Sequence, residues 1–264
     1  MQASTFDLIP AFYLAIPFLF LLIFINWLGY RFKTFHIRNF PGTEHVGIGP
    51  TEGSLLGLTA LLLSFTFSMS ASKFDSRRQY IIAETNDIST TVLRCDLYPD
   101  SIRYPLKADL KNYLETRIDY YKAKDNELLI QNSLLRADSI SKIIWKRVAD
   151  ASHDQNNRVA SQLMVPSLNE MIDVVTSREG GRRAKVPRMI FIVLCILILV
   201  SAFLSGYGSK SLERNKVLVI AFAVVTTLAL YLVVDLDKPR QGFVNLNSTE
   251  QLLEDLRGLF TENK

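Results

Sequence analysis

Histidine and cysteine are scarce in this 264-residue chain, at three and two residues. Cys95 lies in a charged central segment and Cys195 inside an apolar run, so no disulfide is expected and nothing demands an oxidising compartment. His36, Glu44 and His45 are too loosely spaced for a metal set, and no metal is expected. The signatures H-E-x-x-H, G-x-S-x-G and Walker A are missing, which argues against an enzyme and against a cofactor. Glycines 42, 47, 49 and 53 give a G-x-G-x-x-x-G pattern within "PGTEHVGIGPTEGS". No strand precedes it, and Glu44 and Glu52 would repel phosphate, so it reads as a turn returning the chain to the membrane. No stretch sustains a strand's period of two, and internal repeats and low-complexity tracts are lacking. The charge excess is small, +4, and much of it flanks apolar runs, where membrane topology accounts for it. No nucleic-acid partner is expected.

What the chain does have is long uncharged runs: Leu8 to Tyr30, Gly53 to Ser72, Met189 to Ser209 and Val217 to Val234. Each is long enough for a hydrocarbon core of about 30 Å, which predicts four transmembrane helices. Met1 to Leu8 carries no Lys or Arg and no small-x-small cleavage site follows, so the first run is read as a retained span rather than a signal peptide. The second run is interrupted by Ser54, Thr59, Ser64, Thr66, Ser68 and Ser70, hydroxyls that suit a span facing protein or water. Four spans put the segment of residues 73–187 and both termini on one side. Ten Lys and Arg flank the spans on that side, from Lys73 to Arg240, against six on the other, from Arg31 to Lys216. The balance favours a cytoplasmic central segment in a multi-pass inner-membrane protein.

The expected fold is therefore an all-α integral membrane protein, with four transmembrane helices per subunit and a helical cytosolic domain between spans two and three. Its expected segments are a first span at 1–30, a loop at 31–53 and a second helix at 54–98 that continues into the cytosol. A helical domain at 99–186, a transmembrane hairpin at 187–235 and an amphipathic C-terminal helix at 236–264 follow. Neither glycine nor proline occurs between Gly57 and Pro99, so the second span runs on as one helix of about 40 residues, roughly 60 Å. Beyond the membrane, Ile81, Ile88, Val92 and Cys95 recur with the spacing of a buried seam. Leu106, Leu110, Tyr113, Leu114, Arg117 and Tyr121 share one face of the next helix, and Leu128, Leu135, Ile143, Ile144 and Val148 one face of another. A further helix spans "VASQLMVPSLNEMIDVVTSR", with Pro166 expected to kink or start it. "REGGRRAKVP" reads as a hinge and "SGYGSKSLERN" as a tight turn between spans three and four. Ser248 with Gln251 reads as a capping box for a helix bearing Leu252, Leu253, Leu256, Leu259 and Phe260.

"LLLSFTFSMSASKFDSRRQYIIAETNDISTTVLRCDLYP", then "PSLNEMIDVVTSR", Pro187 ahead of span three and "DLDKPRQG" after span four resemble the bacterial bestrophin-like membrane-protein family. The resemblance covers about residues 10 to 260. "SFTFSMSASKF" is more distantly similar to the pore helix of bestrophin anion channels, homopentamers whose second helices line the pore and carry a hydrophobic neck. Ser64 stands where that pattern has glycine, Lys73 and Phe74 where it has Arg-Trp, and the acidic calcium clasp is reduced to Asp235 and Asp237. The resemblance implies a homo-oligomeric ion channel, anion-conducting by analogy, whose partners are copies of itself, membrane lipids and inorganic ions. It places Gly57, Leu61 and Phe65 at the neck, and helical spacing puts Ser64, Ser68 and Ser72 on the adjacent stripe of the same pore wall.

Lys73, Arg77 and Arg78 would then form basic rings at a cytosolic mouth, with Asp75 offsetting part of their charge. Glu84, Asn86 and Arg94, with Asn169, Asp173 and Arg178, would form a hydrogen-bonded network lining a vestibule. Each reading has a plainer counterpart: serines that bond back to the preceding turn or let helices approach, basic residues that anchor a span, polar residues at an ordinary surface. Asp235 and Asp237 read as a cap for basic residues of a neighbouring subunit rather than a calcium site. The rival to the channel is a membrane-anchored signalling or scaffold protein with no pore.

Overall fold

The computed structural model describes residues 11–39, 49–209, 216–238 and 242–261. Within these the chain forms α1 (Ala11–Asn39), α2 (Gly49–Arg94), α3 (Asp100–Lys122), α4 (Glu127–Ser152), α5 (Arg158–Arg183), α6 (Arg188–Tyr207), α7 (Lys216–Asp237) and α8 (Asn247–Asp255). No strand occurs among the described residues. Among the described residues four helices are long and apolar enough to cross a membrane, and each overlaps one expected span, so the all-α class with four candidate spans holds. The chain divides into one compact unit of residues 1–74 and 185–244 and another of 75–184 and 245–264.

In the first unit, α1 and α6 lie side by side around two glycines. A methyl group on Gly29 would collide with the carbonyl oxygen of Phe203, and one on Gly206 with that of Asn26. The backbones touch, as small residues permit where no water drives helices together. The Asn26 amide donates to the Ala202 carbonyl at 3.0 Å, and the ammonium of Lys33 to that of Ser209. Gly206, expected in a turn, is thus a contact glycine inside a helix. Leu22, Leu194, Ile198, Ala202, Ala223 and Leu230 form the centre of the unit, with Leu62 and Leu63 of α2 against it.

α1 continues nine residues past Tyr30, so the expected loop at 31–53 begins as helix and ends as helix from Gly49. Phe32, Phe35 and Ile37 prolong the apolar character, and the first proline after them is Pro41. Residues 40–48, with Glu44, His45 and the glycines at 42 and 47, lie outside the described residues, as do 1–10 and 210–215.

In the second unit the expected seam is present: Ile81, Ile88, Val92 and Cys95 are buried, and so are Leu106, Leu110, Tyr113, Leu114, Arg117 and Tyr121 of α3. Burial pushes the Cys95 thiol up to about 12, so it is an inert core group. α4 is rotated from the expected face. Leu128, Leu135 and Ile143 are exposed, while Ile130, Ser133, Ala137, Ser141, Ile144 and Val148 are buried. The small residues at 133, 137 and 141, four apart, let α4 approach its neighbours closely, and that outweighs the larger leucines.

α5 continues through Pro166, Gly180 and Gly181, and the break falls at residues 184–187, within the last part of the expected hinge "REGGRRAKVP". A Cβ on Gly181 would lie 2.9 Å from the Tyr80 ring. The glycine serves close packing, not a hinge. Leu253 and Leu256 are buried as expected, but α8 starts at Asn247 with no side-chain cap, so the Ser248–Gln251 box does not form. The Asn245 carboxamide oxygen accepts from the Asn247 N–H at 3.2 Å and takes over that role.

Candidate functional site

α2 carries nearly all the sequence-predicted site residues, and its side chains sort by angle. At 100° per residue, Gly57, Leu61, Ser64, Phe65, Ser68 and Ser72 fall within about 100° of one another. All six are exposed, Leu61 at 53% and Phe65 at 61%. The opposite face holds Thr59, Thr66 and Ser70, all buried. Thr59 bonds the Leu55 carbonyl at 2.8 Å and the Ser201 hydroxyl at 3.0 Å, and Thr66 bonds the Leu62 carbonyl at 2.7 Å. The hydroxyls that interrupt this span therefore divide. One set serves packing within the chain; the other, at 64, 68 and 72, faces outward.

The basic residues expected at a mouth do not join this stripe. Lys73 Nζ donates to the Lys185 carbonyl at 2.7 Å. Arg77 is buried, its Nε donating to the Gly181 carbonyl at 3.0 Å and its Nη2 to that of Ala184 at 2.7 Å. It caps the C-terminus of α5, where free carbonyls and the helix dipole both favour a cation. Arg78 is exposed, and lies about 40° outside the near edge of the stripe. The charged residue that continues the stripe is Asp75, exposed and three positions beyond Ser72, followed by Gln79.

Glu84 is fully buried, and so corrects its expected place on a vestibule wall. It stands three residues after Ile81 and four before Ile88, within the apolar seam itself. Its carboxylate pairs with Arg117 Nε and Arg178 Nη1 and accepts from the Tyr121 hydroxyl at 3.1 Å. Burial pushes the Glu84 carboxyl up, but the two guanidinium groups outweigh it and hold the group below the usual range. The rings of Tyr120 and Tyr121 cover the arginines, with Arg117 Cζ 4.6 Å from the Tyr120 centroid and Arg178 Cζ 4.2 Å from that of Tyr121. Arg117 reads in sequence only as one more position of an amphipathic face. Of the rest of the expected network, Arg94 Nη1 bonds the Leu163 carbonyl at 2.5 Å, and Asn86, Asn169 and Asp173 are exposed.

Asp235 and Asp237 also act within the chain. Asp235, 1% exposed, accepts from the backbone N–H groups of Phe243 at 3.1 Å and Val244 at 2.8 Å, against Gly242, where any Cβ would strike the carboxylate. Asp237 accepts from the Val186 N–H at 3.1 Å. Both carboxylates hold the connections at the ends of α6 and α7. Backbone donors of this chain are thus among the partners of both.

The fold is found in solved proteins. A bacterial bestrophin homologue from Klebsiella pneumoniae superposes with a TM-score of 0.70 at 15% identity, covering 92% of this chain and 98% of that one. A variant of it gives 0.72 at 16%, covering 93% and 99%. At such identities the likeness is one of fold. Comparison with curated proteins gives no match. The family model for the bestrophin-like domain matches residues 35–250, most of the chain, and the protein is a member of the bestrophin-like family.

Proposed function

We propose that the protein is a homo-oligomeric ion channel of the inner membrane, with the exposed stripe of α2 lining the pore and the 75–184 helices on the cytosolic side. The observation that carries this reading is the stripe itself: Gly57, Leu61, Ser64, Phe65, Ser68 and Ser72 share one exposed side of a membrane-crossing helix. Hydroxyls such as those of Ser64 and Ser68 suit a face turned to water or to a second copy better than one turned to hydrocarbon. Around a symmetry axis, Leu61 and Phe65 form an apolar constriction that gates by dewetting, and the serines replace part of an ion's hydration shell. Five subunits is the number that the family resemblance implies.

The preference for anions drawn from Lys73, Arg77 and Arg78 rests on side chains that lie off the stripe, the first two held against backbone carbonyls. Asp75 is the charged group on the stripe, and a ring of it concentrates cations. The test is modification of Ser68→Cys with a charged thiol reagent during bilayer recording, with reversal potentials taken on the parent and on Asp75→Asn. Loss of current on modification and a weaker cation preference in Asp75→Asn are expected. A monomer in detergent, or current indifferent to a charge at position 68, sinks the pore and leaves the scaffold reading.

A further inference from the structure

Every exposed residue of α7 from Val217 to Leu232 is apolar, in contrast to the serines on the exposed stripe of α2. A surface of valine, leucine, isoleucine and alanine alone suits hydrocarbon. Asp235 is the first charged residue after this run, and it marks where α7 leaves the apolar core of the bilayer. At about 100° per residue it falls between Val224 and Leu228, both exposed, so by position it belongs to the same apolar side. It is nevertheless 1% exposed.

What buries it is the chain that follows. Gly242 lies so close to the carboxylate that a Cβ there would strike it. One carboxylate oxygen accepts from the Phe243 N–H at 3.1 Å and the other from the Val244 N–H at 2.8 Å. Residues 242–244 are therefore strapped over the outer side of α7, level with its last turn. Phe243 sits in this strap and is 88% exposed, the highest value among the large hydrophobic residues described.

We propose that Phe243 is a membrane-surface anchor, its ring entering the lipid interface beside the end of α7 while the Asp235 carboxylate holds its backbone. Aromatic rings concentrate at that depth, and peripheral segments bury phenylalanine there. The lipid surface is favoured over a second copy because the side of α7 that the strap crosses exposes apolar residues alone. The anchor fixes the start of the connection to α8 at the bilayer, and it does so whether or not the protein conducts.

Fluorescence of Phe243→Trp tests this in the full-length protein reconstituted into phosphatidylcholine vesicles, with the emission of the parent, from Trp27 and Trp145, subtracted. Lipids brominated just below the headgroup quench the introduced indole strongly, and lipids brominated at the chain ends quench it little. Aqueous iodide reaches it less than it reaches free tryptophan amide. Asp235→Asn, added to Phe243→Trp, can accept only one of the two backbone N–H groups. The strap then lifts, so quenching by the shallow bromine falls and iodide access rises. Should that variant not fold, as judged by elution volume, Gly242→Ala lifts the strap by collision with the carboxylate. Full iodide access without bromine quenching would mean that the ring lies in water, and insensitivity to all three quenchers that another copy covers it. Stronger quenching from the chain ends than from below the headgroup would place it in the hydrocarbon core. Each of these overturns the proposal, and so does a quenching profile that neither Asp235→Asn nor Gly242→Ala changes.

Discussion

Replacing Glu84 with Gln keeps the shape of the side chain and removes the one negative charge that faces Arg117 and Arg178. Arg117 is fully buried and Arg178 is 8% exposed, so neither guanidinium can turn to water. Arg117 already has two nitrogens without hydrogen-bond partners, which leaves its Nε contact with Glu84 as the group's anchor. Breaking a buried ion pair from one side costs about 3 to 5 kcal/mol, because the remaining charge is uncompensated. Against a total of about 5 to 15 kcal/mol for a typical domain, that is a large fraction. It corresponds to a fall of roughly 6 to 20 °C in melting temperature for a chain of this size.

The assay is thermal unfolding in detergent, followed by the fluorescence of Trp145 in α4 and Trp27 in α1. Asp138→Ala, which removes the exposed partner of Lys142, is the control and leaves the midpoint nearly unchanged. Replacing all three members of the cluster together, Glu84→Leu with Arg117→Met and Arg178→Met, recovers most of the loss, since no charge is then left buried. A Glu84→Gln midpoint within error of the parent would refute the reasoning.

Three further outcomes follow from the same structure. Gly206→Ala separates α1 from α6, because its methyl group meets the Asn26 carbonyl, and costs about 1 to 3 kcal/mol by overpacking, read as a lower midpoint. Arg77→Ala uncovers two carbonyls at the end of α5 and destabilises by about 1 to 3 kcal/mol, whereas Arg78→Ala, at an exposed position, leaves the midpoint in place. Burial pushes the Glu179 carboxyl up, but hydrogen bonds from Arg182 and Arg183 prevail and bring it to about 2, from 4.5. A carboxylate with a lowered folded pKa stabilises above its unfolded pKa, so midpoints are level above pH 4.5 and fall as pH drops toward 2. Midpoints unchanged down to pH 3 would contradict this.

The four spans, the seam from Ile81 to Cys95 and the face of α3 were legible because apolar spacing alone specifies them. Glu84 was harder. It occupies the same seam, but a lone carboxylate there gives no sign of burial until Arg117 and Arg178, 33 and 94 residues away, close on it. Gly181 and Gly206 read as a hinge and a turn because glycine gives one local signal for both flexibility and close approach. Only the neighbouring Tyr80 ring and Asn26 carbonyl distinguish them. On α4 the large leucines at 128 and 135 drew the expected face, although small serines and an alanine decide it. Lys73 and Arg77 sit close to the proposed pore residues in sequence but 80° or more around the helix from the stripe, a separation that angular bookkeeping reveals and linear spacing hides.

The central claim is that the exposed stripe of α2 faces an ion pathway. Planar-bilayer recording of Leu61→Ala with Phe65→Ala beside the parent tests it most directly. Removing both apolar side chains wets the constriction, so higher conductance or open probability is expected in the variant. Silence from both proteins across voltage, pH and ion composition, or identical currents from the two, would contradict the account.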